Sequence, residues 1–162
     1  SVIAHCMRLL MENPDQLQKL VDDPSLVPFA VEEALRYNPA FVQMRRTVMQ
    51  DIEIQGQQLK AGDKMVLNWQ AINHDPDVFE NPERFDIERF KRNPELTSQH
   101  RAFGNGEHFC IGAHMSRLEM QVMFEELIPR LKNPKFAQPV EFVRDYFVNS
   151  IKSMHITFDP EA

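Results

Sequence analysis

The chain of 162 residues is 43% hydrophobic and 26% charged, the composition of one globular unit, which excludes disorder, collagen and coiled coil. A net charge of -6, from 18 Lys+Arg against 24 Asp+Glu, argues against binding to nucleic acid or an anionic membrane, since both depend on summed positive potential. No run of 18 or more apolar residues occurs, and the opening S-V-I-A-H-C-M-R-L-L lacks the features of a signal peptide, so neither a membrane span nor secretion is expected.

Eleven prolines against five glycines fall between periodic segments and keep the elements short. Ile3, Met7, Leu10 and Met11 lie at helical spacing, predicting a helix over Val2 to Met11 that opens without a cap. Asn13 as N-cap and Pro14 in the first turn launch a second helix, through Val21. Pro28 opens a third, through Tyr37, which Asn38-Pro39 ends because a residue before proline is driven out of the helical region. From Thr47 the period becomes two, with Ile52 and Ile54, a turn at Gly56, and Met65-Val66-Leu67, predicting a small antiparallel sheet. Trp69 to Asn73 makes one helical turn, and the stretch from His74 to His100 is irregular, as functional or tightly packed loops are. Met115, Leu118, Val122, Met123, Leu127, Ile128 and Leu131 predict a long helix after Gly112 and up to Asn133-Pro134. The tail closes with strands, from the alternation around Met154, Ile156 and Phe158.

Only two cysteines are present, Cys6 and Cys110, far apart in sequence, which fits a reduced cytoplasm and separate thiols better than a disulfide framework. The segment F-G-N-G-E-H-F-C-I-G, Phe103 to Gly112, holds three of the five glycines and ends where the long helix starts. Glycine permits positive φ and close approach of a flat ligand, while a helix N-terminus favours a thiolate at Cys110. Such a thiolate suits axial ligation of haem iron. Two other readings stand beside this one: Cys110 as a small buried hydrophobe, and His108, Cys110 and His114 as ligands of zinc.

The ten residues resemble, position by position, the haem-binding signature F-G-x-G-x-H-x-C-x-G of soluble bacterial cytochrome P450 enzymes. The resemblance implies haem b as cofactor, with Cys110 as proximal iron ligand, Phe103 beside the sulfur, His108 at a haem propionate, and Gly104, Gly106 and Gly112 shaping the loop. E-x-x-R, here Glu33 and Arg36, places both residues on one helix face. Pro82-Glu83-Arg84-Phe85 is similar to the family's P-E-R-F motif, and the resemblance implies a buried structural network of Glu33, Arg36 and Arg84. Arg46 matches a propionate-binding arginine of the family, with Arg45 as its rival. Ala40 to Met44 and Phe147 to Ile151 match substrate-facing stretches, giving Phe41, Val42 and Val148 as candidates, with ordinary core as the alternative. The basic run Arg89, Lys91, Arg92 and Arg101 is either a docking patch for an acidic electron donor or a solvated face.

A complete member of the family is more than twice this length. Residues 1–162 are therefore expected to be a single C-terminal haem-binding portion of the cytochrome P450 fold, mainly α with small antiparallel sheets and incomplete. The acid-threonine pair that delivers protons in the family would fall a few residues before Ser1, so no proton-delivering catalytic residue is assigned here. The implied activity is a monooxygenase that uses dioxygen and NAD(P)H-derived electrons from a ferredoxin or flavin reductase to hydroxylate a small lipophilic substrate. A non-catalytic haem-binding or complementation fragment, and another haem-thiolate enzyme such as a peroxygenase or dehydratase, are the alternatives; the fragment alone is expected to be inactive.

Overall fold

Five apolar or aromatic positions of the first segment fall on one side of a helix, and that side is what the molecule buries. In the structure, a computed structural model describing residues 2–159, α1 (Val2–Glu12) turns His5, Cys6, Met7, Leu9 and Leu10 inward. Ser1 and residues 160–162 of the expected 1–162 portion lie outside the described residues. α2 (Pro14–Asp22) starts with its proline in the first turn, as expected, but Asn13 does not cap it with its side chain. Asn13 Nδ2 instead donates to Leu9 O at 2.8 Å, closing α1, while its carbonyl accepts from the amides of Gln16 and Leu17.

After a short 3₁₀ turn, α3 (Val27–Tyr37) runs through the middle of the helical core and packs against α1, α5 (Arg89–Arg92) and α6 (Ala113–Leu127). Asn38, which follows its last residue Tyr37, leaves the helical region, φ -141°, because Pro39 comes next. Leu10, Val31, Ala34, Ile87 and Phe124 are among the side chains sealed in this core.

β1 (Gln43–Thr47) pairs antiparallel with β4 (Lys64–Asn68), and between them β2 (Ile52–Ile54) and β3 (Gln57–Leu59) form a hairpin. Gln55 and Gly56 both have positive φ, the two-residue turn that matches strand twist. The sheet starts earlier than its period-two pattern suggests: Arg46 lies inside β1, paired with Met65, not ahead of the strands. α4 (Trp69–Ile72) is the expected single turn, and the irregular stretch contains only α5 and a 3₁₀ turn at Pro94–Ser98.

α6 stops at Leu127, short of the predicted Asn133-Pro134, and β5 (Lys132–Phe136) takes over. Pro134 is tolerated there because Asn133 adopts positive φ and the register with β8 (Ile156–Asp159) slips at that point. β6 (Glu141–Phe142) and β7 (Ile151–Ser153) complete a second closing pair. The buried face of α6 also differs from the predicted stripe: Ala113, Met120, Phe124 and Ile128 are buried, whereas Met115, Leu118, Val122 and Met123 are exposed. This helix carries apolar residues on two faces, so periodicity alone does not choose between them. The architecture is mainly helical with small antiparallel sheets, and among the described residues no helix is long and apolar enough to cross a membrane.

Candidate haem-thiolate site

Phe103 to Gly112 folds as a tight excursion containing one 3₁₀ turn at Gly106–His108. Gly104 (φ 75°) and Gly106 (φ 73°) occupy the left-handed region, where a Cβ is strained. Gly112 is different: its φ is -84°, and a Cβ there would meet Cys110 Sγ at an ordinary 3.8 Å. The loop is closed by Cys110 N–H donating to Phe103 O at 3.0 Å, and Ala113 N–H donates to Cys110 O at the start of α6. Cys110 is exposed. Cys6, by contrast, is sealed in the core, where burial pushes its thiol up. The reading of Cys110 as a buried hydrophobe is thus incorrect, and among the described residues no group of three or more His, Cys, Asp and Glu is placed to hold a metal ion, so His108 and His114 do not complete a zinc trio with it.

Cys110 faces an open cavity of about 1100 Å³. The loop contributes Phe103, Gly104, His108 and Gly112 to one wall; Met44 and Arg46 of β1, Leu67 of β4, and Trp69 form another. The alternation of strands explains this choice, since residues 44 and 46 share a sheet face and Arg45 lies on the other. Of the substrate-facing candidates, Phe41 lines the cavity but Val42 and Val148 do not. Their backbones are occupied otherwise: Val42 N–H donates to Phe147 O, Val42 O accepts from Trp69 N–H, and Val148 bridges Phe41. Arg101 also lines the cavity, although in the sequence it reads only as part of a basic run.

Behind the loop, Glu33 and Arg36 are wholly buried and joined at 2.8 Å through both carboxylate oxygens. Their second arginine is Arg89, not Arg84: Arg89 Nε donates to Glu33 at 3.1 Å, while Arg84 is exposed and contributes only its backbone carbonyl, which accepts from Arg89 Nη2 at 3.0 Å. The tight turn before α5 directs the Arg84 carbonyl inward and its side chain to solvent. Two guanidiniums against one carboxylate leave a buried positive excess, and carbonyls disperse it: Asn73 and Pro82 accept from Arg36, and Glu80, Asn81 and Arg84 accept from Arg89. Asn73, wholly buried and unremarked in the sequence, links this network to the loop stem, because its Oδ1 accepts from Arg101 N–H at 2.6 Å. The basic run is accordingly no uniform docking face: Arg89 is buried, Arg92 pairs with Asp86 and Lys91 with Asp23.

Residues 8–135 match the family model described as Cytochrome P450. The chain belongs to the cytochrome P450 family. It is 40% identical over 149 residues to Cytochrome P450-terp of a Pseudomonas species, covering 92% of this chain and 33% of that protein. It is 38% identical to the Steroid C26-monooxygenase of Mycolicibacterium smegmatis, covering 94% of this chain and 37% of the relative. The solved structure of P450BioI in complex with hexadec-9Z-enoic acid ligated acyl carrier protein superposes with a TM-score of 0.90 at 33% identity, over 98% of this chain and 40% of that one. The chain thus spans about a third of the length of the curated relatives it matches.

Membership of the cytochrome P450 family implies haem, and the residues present fit it. The cavity offers a soft sulfur donor at Cys110, cationic or hydrogen-bonding groups for carboxylates at Arg46, Arg101 and His108, and apolar side chains for a flat macrocycle.

Proposed function

We propose that this chain supplies the thiolate side of the haem pocket in a monooxygenase, residues 1–162 acting as one haem-binding portion with Cys110 as the iron ligand. The observation that carries the reading is the exposed Cys110 facing a roomy cavity from a loop whose two left-handed glycines keep side chains out of the way. Haem b is the cofactor; Arg46 and His108 hold its propionates, Arg46 through a guanidinium fork. Phe103 packs against the loop beside the sulfur, and Gly104, Gly106 and Gly112 let the macrocycle approach the backbone. Glu33, Arg36 and Arg89 keep the loop's support rigid, so that the sulfur is held in place without reorganising.

When bound, haem supplies activation of dioxygen with two electrons, one oxygen atom entering a C–H bond and the other leaving as water. This chain's residues do the rest on their side of the pocket: they orient the macrocycle, and the wall of Phe41, Met44, Leu67 and Trp69 excludes water and favours a small lipophilic substrate. Electrons come from a ferredoxin or flavin reductase. The two unpaired thiols suit a cytoplasmic setting.

The test is the spectrum of the protein reconstituted with haem. A strongly red-shifted Soret band in the ferrous-CO complex, abolished in Cys110→Ala, is expected; an unchanged band in that variant overturns the assignment.

A further inference from the structure

A second charge cluster lies behind the cysteine loop, apart from the Glu33 network. Glu32 of α3 is 8% exposed and accepts from Arg117 of α6 at 2.5 Å (Nε) and 3.1 Å (Nη2), a bidentate fork. Its Oε2 also meets His100 Nε2 at 2.9 Å, and His100 is 6% exposed. Ala102 N–H points at His100 Nδ1 (3.4 Å), which leaves Nε2 to face the Glu32 carboxylate. Both partners of Glu32 also rest on Phe103: the Arg117 guanidinium lies over its ring, 4.7 Å from the centroid, and the His100 ring is 6.5 Å away. Phe103 in turn accepts the Cys110 N–H. A continuous path therefore runs from a buried carboxylate, through a cation and an aromatic face, to the backbone of the sulfur-bearing residue.

We propose that Glu32 and Arg117 are positioning residues for Cys110, and that the balance of their charges sets how strongly the sulfur donates to iron. This rests on the haem-thiolate reading above. A cation held over Phe103, whose carbonyl is bonded to the Cys110 amide, stabilises negative charge on the cysteine loop and favours the reduced form of the centre; the Glu32 carboxylate offsets that cation. Removing either charge unbalances the cluster in opposite senses, whereas a lesion in mere packing has no sign.

The experiment is a potentiometric titration of the haem-loaded protein, with the ferrous-CO band recorded for every variant. Arg117→Gln is expected to lower the midpoint potential and Glu32→Gln to raise it, and the double variant E32Q/R117Q, neutral again, is expected to return close to the unaltered protein. Arg117→Lys, which keeps the charge but loses the fork, should remain closer to the unaltered potential than Arg117→Gln. Shifts of the same sign in both single variants, or no shift in either, overturn the proposal. If a single variant fails to take up haem, the double variant decides: a loaded protein at the unaltered potential supports the proposal, and a failure to load overturns it. Should the unaltered protein itself lack the thiolate-ligated band, the haem-thiolate reading fails first, and that outcome is distinct from all the others.

Discussion

Glu32 and Glu33 are consecutive residues of one helix, yet they serve different regions. Successive positions on a helix differ by about 100°, so one carboxylate faces α5 and the turn before it while the other faces α6 and the cysteine-loop stem. Glu33 is wholly buried, has two arginines, and depends on a shell of carbonyls to disperse the excess positive charge. Glu32 sits nearer the surface with one arginine and one histidine. Identical chemistry at adjacent positions therefore gives a rigid scaffold on one side and an adjustable electrostatic neighbour of the sulfur on the other.

The largest expected effect comes from Glu33→Ala, which leaves two guanidiniums buried without a counter-charge and should cost about 3–5 kcal/mol. Denaturant unfolding and haem uptake check it, and a stable, haem-loaded Glu33→Ala protein would show that the network is dispensable. Acid separates a third buried group from both glutamates. Burial, followed by the charge of Arg8, lowers His5 from its ordinary 6.5 to about 4. A base held neutral on folding is protonated only by the unfolded chain between these values, so stability falls as pH drops from 6.5 to 4, by on the order of 3 kcal/mol. His5→Leu should flatten that limb in denaturation curves measured across the range; an unaltered limb would place the acid sensitivity elsewhere.

Glu32→Ala is expected to cost less than Glu33→Ala, about 1–3 kcal/mol, because Arg117 keeps partial access to water. Burial by itself raises the Glu32 carboxyl, but the hydrogen bonds from His100 and Arg117 outweigh it and hold the group below the usual carboxylate range. Its contribution is accordingly full above that range and lost as pH falls through the lowered value, which a Glu32→Gln variant should abolish in the same acid titration. The smallest effect belongs to Arg84→Ala, expected within about 0.5 kcal/mol because only the backbone of this residue is used, while Arg89→Ala should approach the cost of Glu33→Ala. Equal losses at 84 and 89 would reverse the assignment of the second arginine.

The sequence makes some of this legible and hides the rest for identifiable reasons. The cysteine loop is readable because glycine, histidine and cysteine fall at short fixed spacing, and Glu33–Arg36 because three residues span nearly one helical turn. Arg84 misleads because a motif names residues and not the direction of a turn; the carbonyl points inward there and the side chain outward. Val42 and Val148 are candidates because their stretches match substrate-facing ones of the family, but of the three residues named on that ground the cavity wall includes Phe41 and not Val42 or Val148. Glu32, His100 and Arg117 are 68 and 85 residues apart along the chain, so no local spacing announces them. The two faces of α6 defeat periodicity, and β5 hides behind a proline that only a register slip accommodates.

Asn73 has a consequence of another kind. Its carbonyl is committed to Arg36 and its side-chain oxygen to the amide of Arg101, so one residue serves as the knot between three segments widely separated along the chain. Aspartate would put a negative charge at that knot, and alanine would leave the loop stem's amide without its acceptor. The bond to Arg36 uses a main-chain carbonyl that any residue would supply and the bond to Arg101 a main-chain amide, so of the three only position 73 is constrained in its side chain, by the need for a short acceptor at the loop stem.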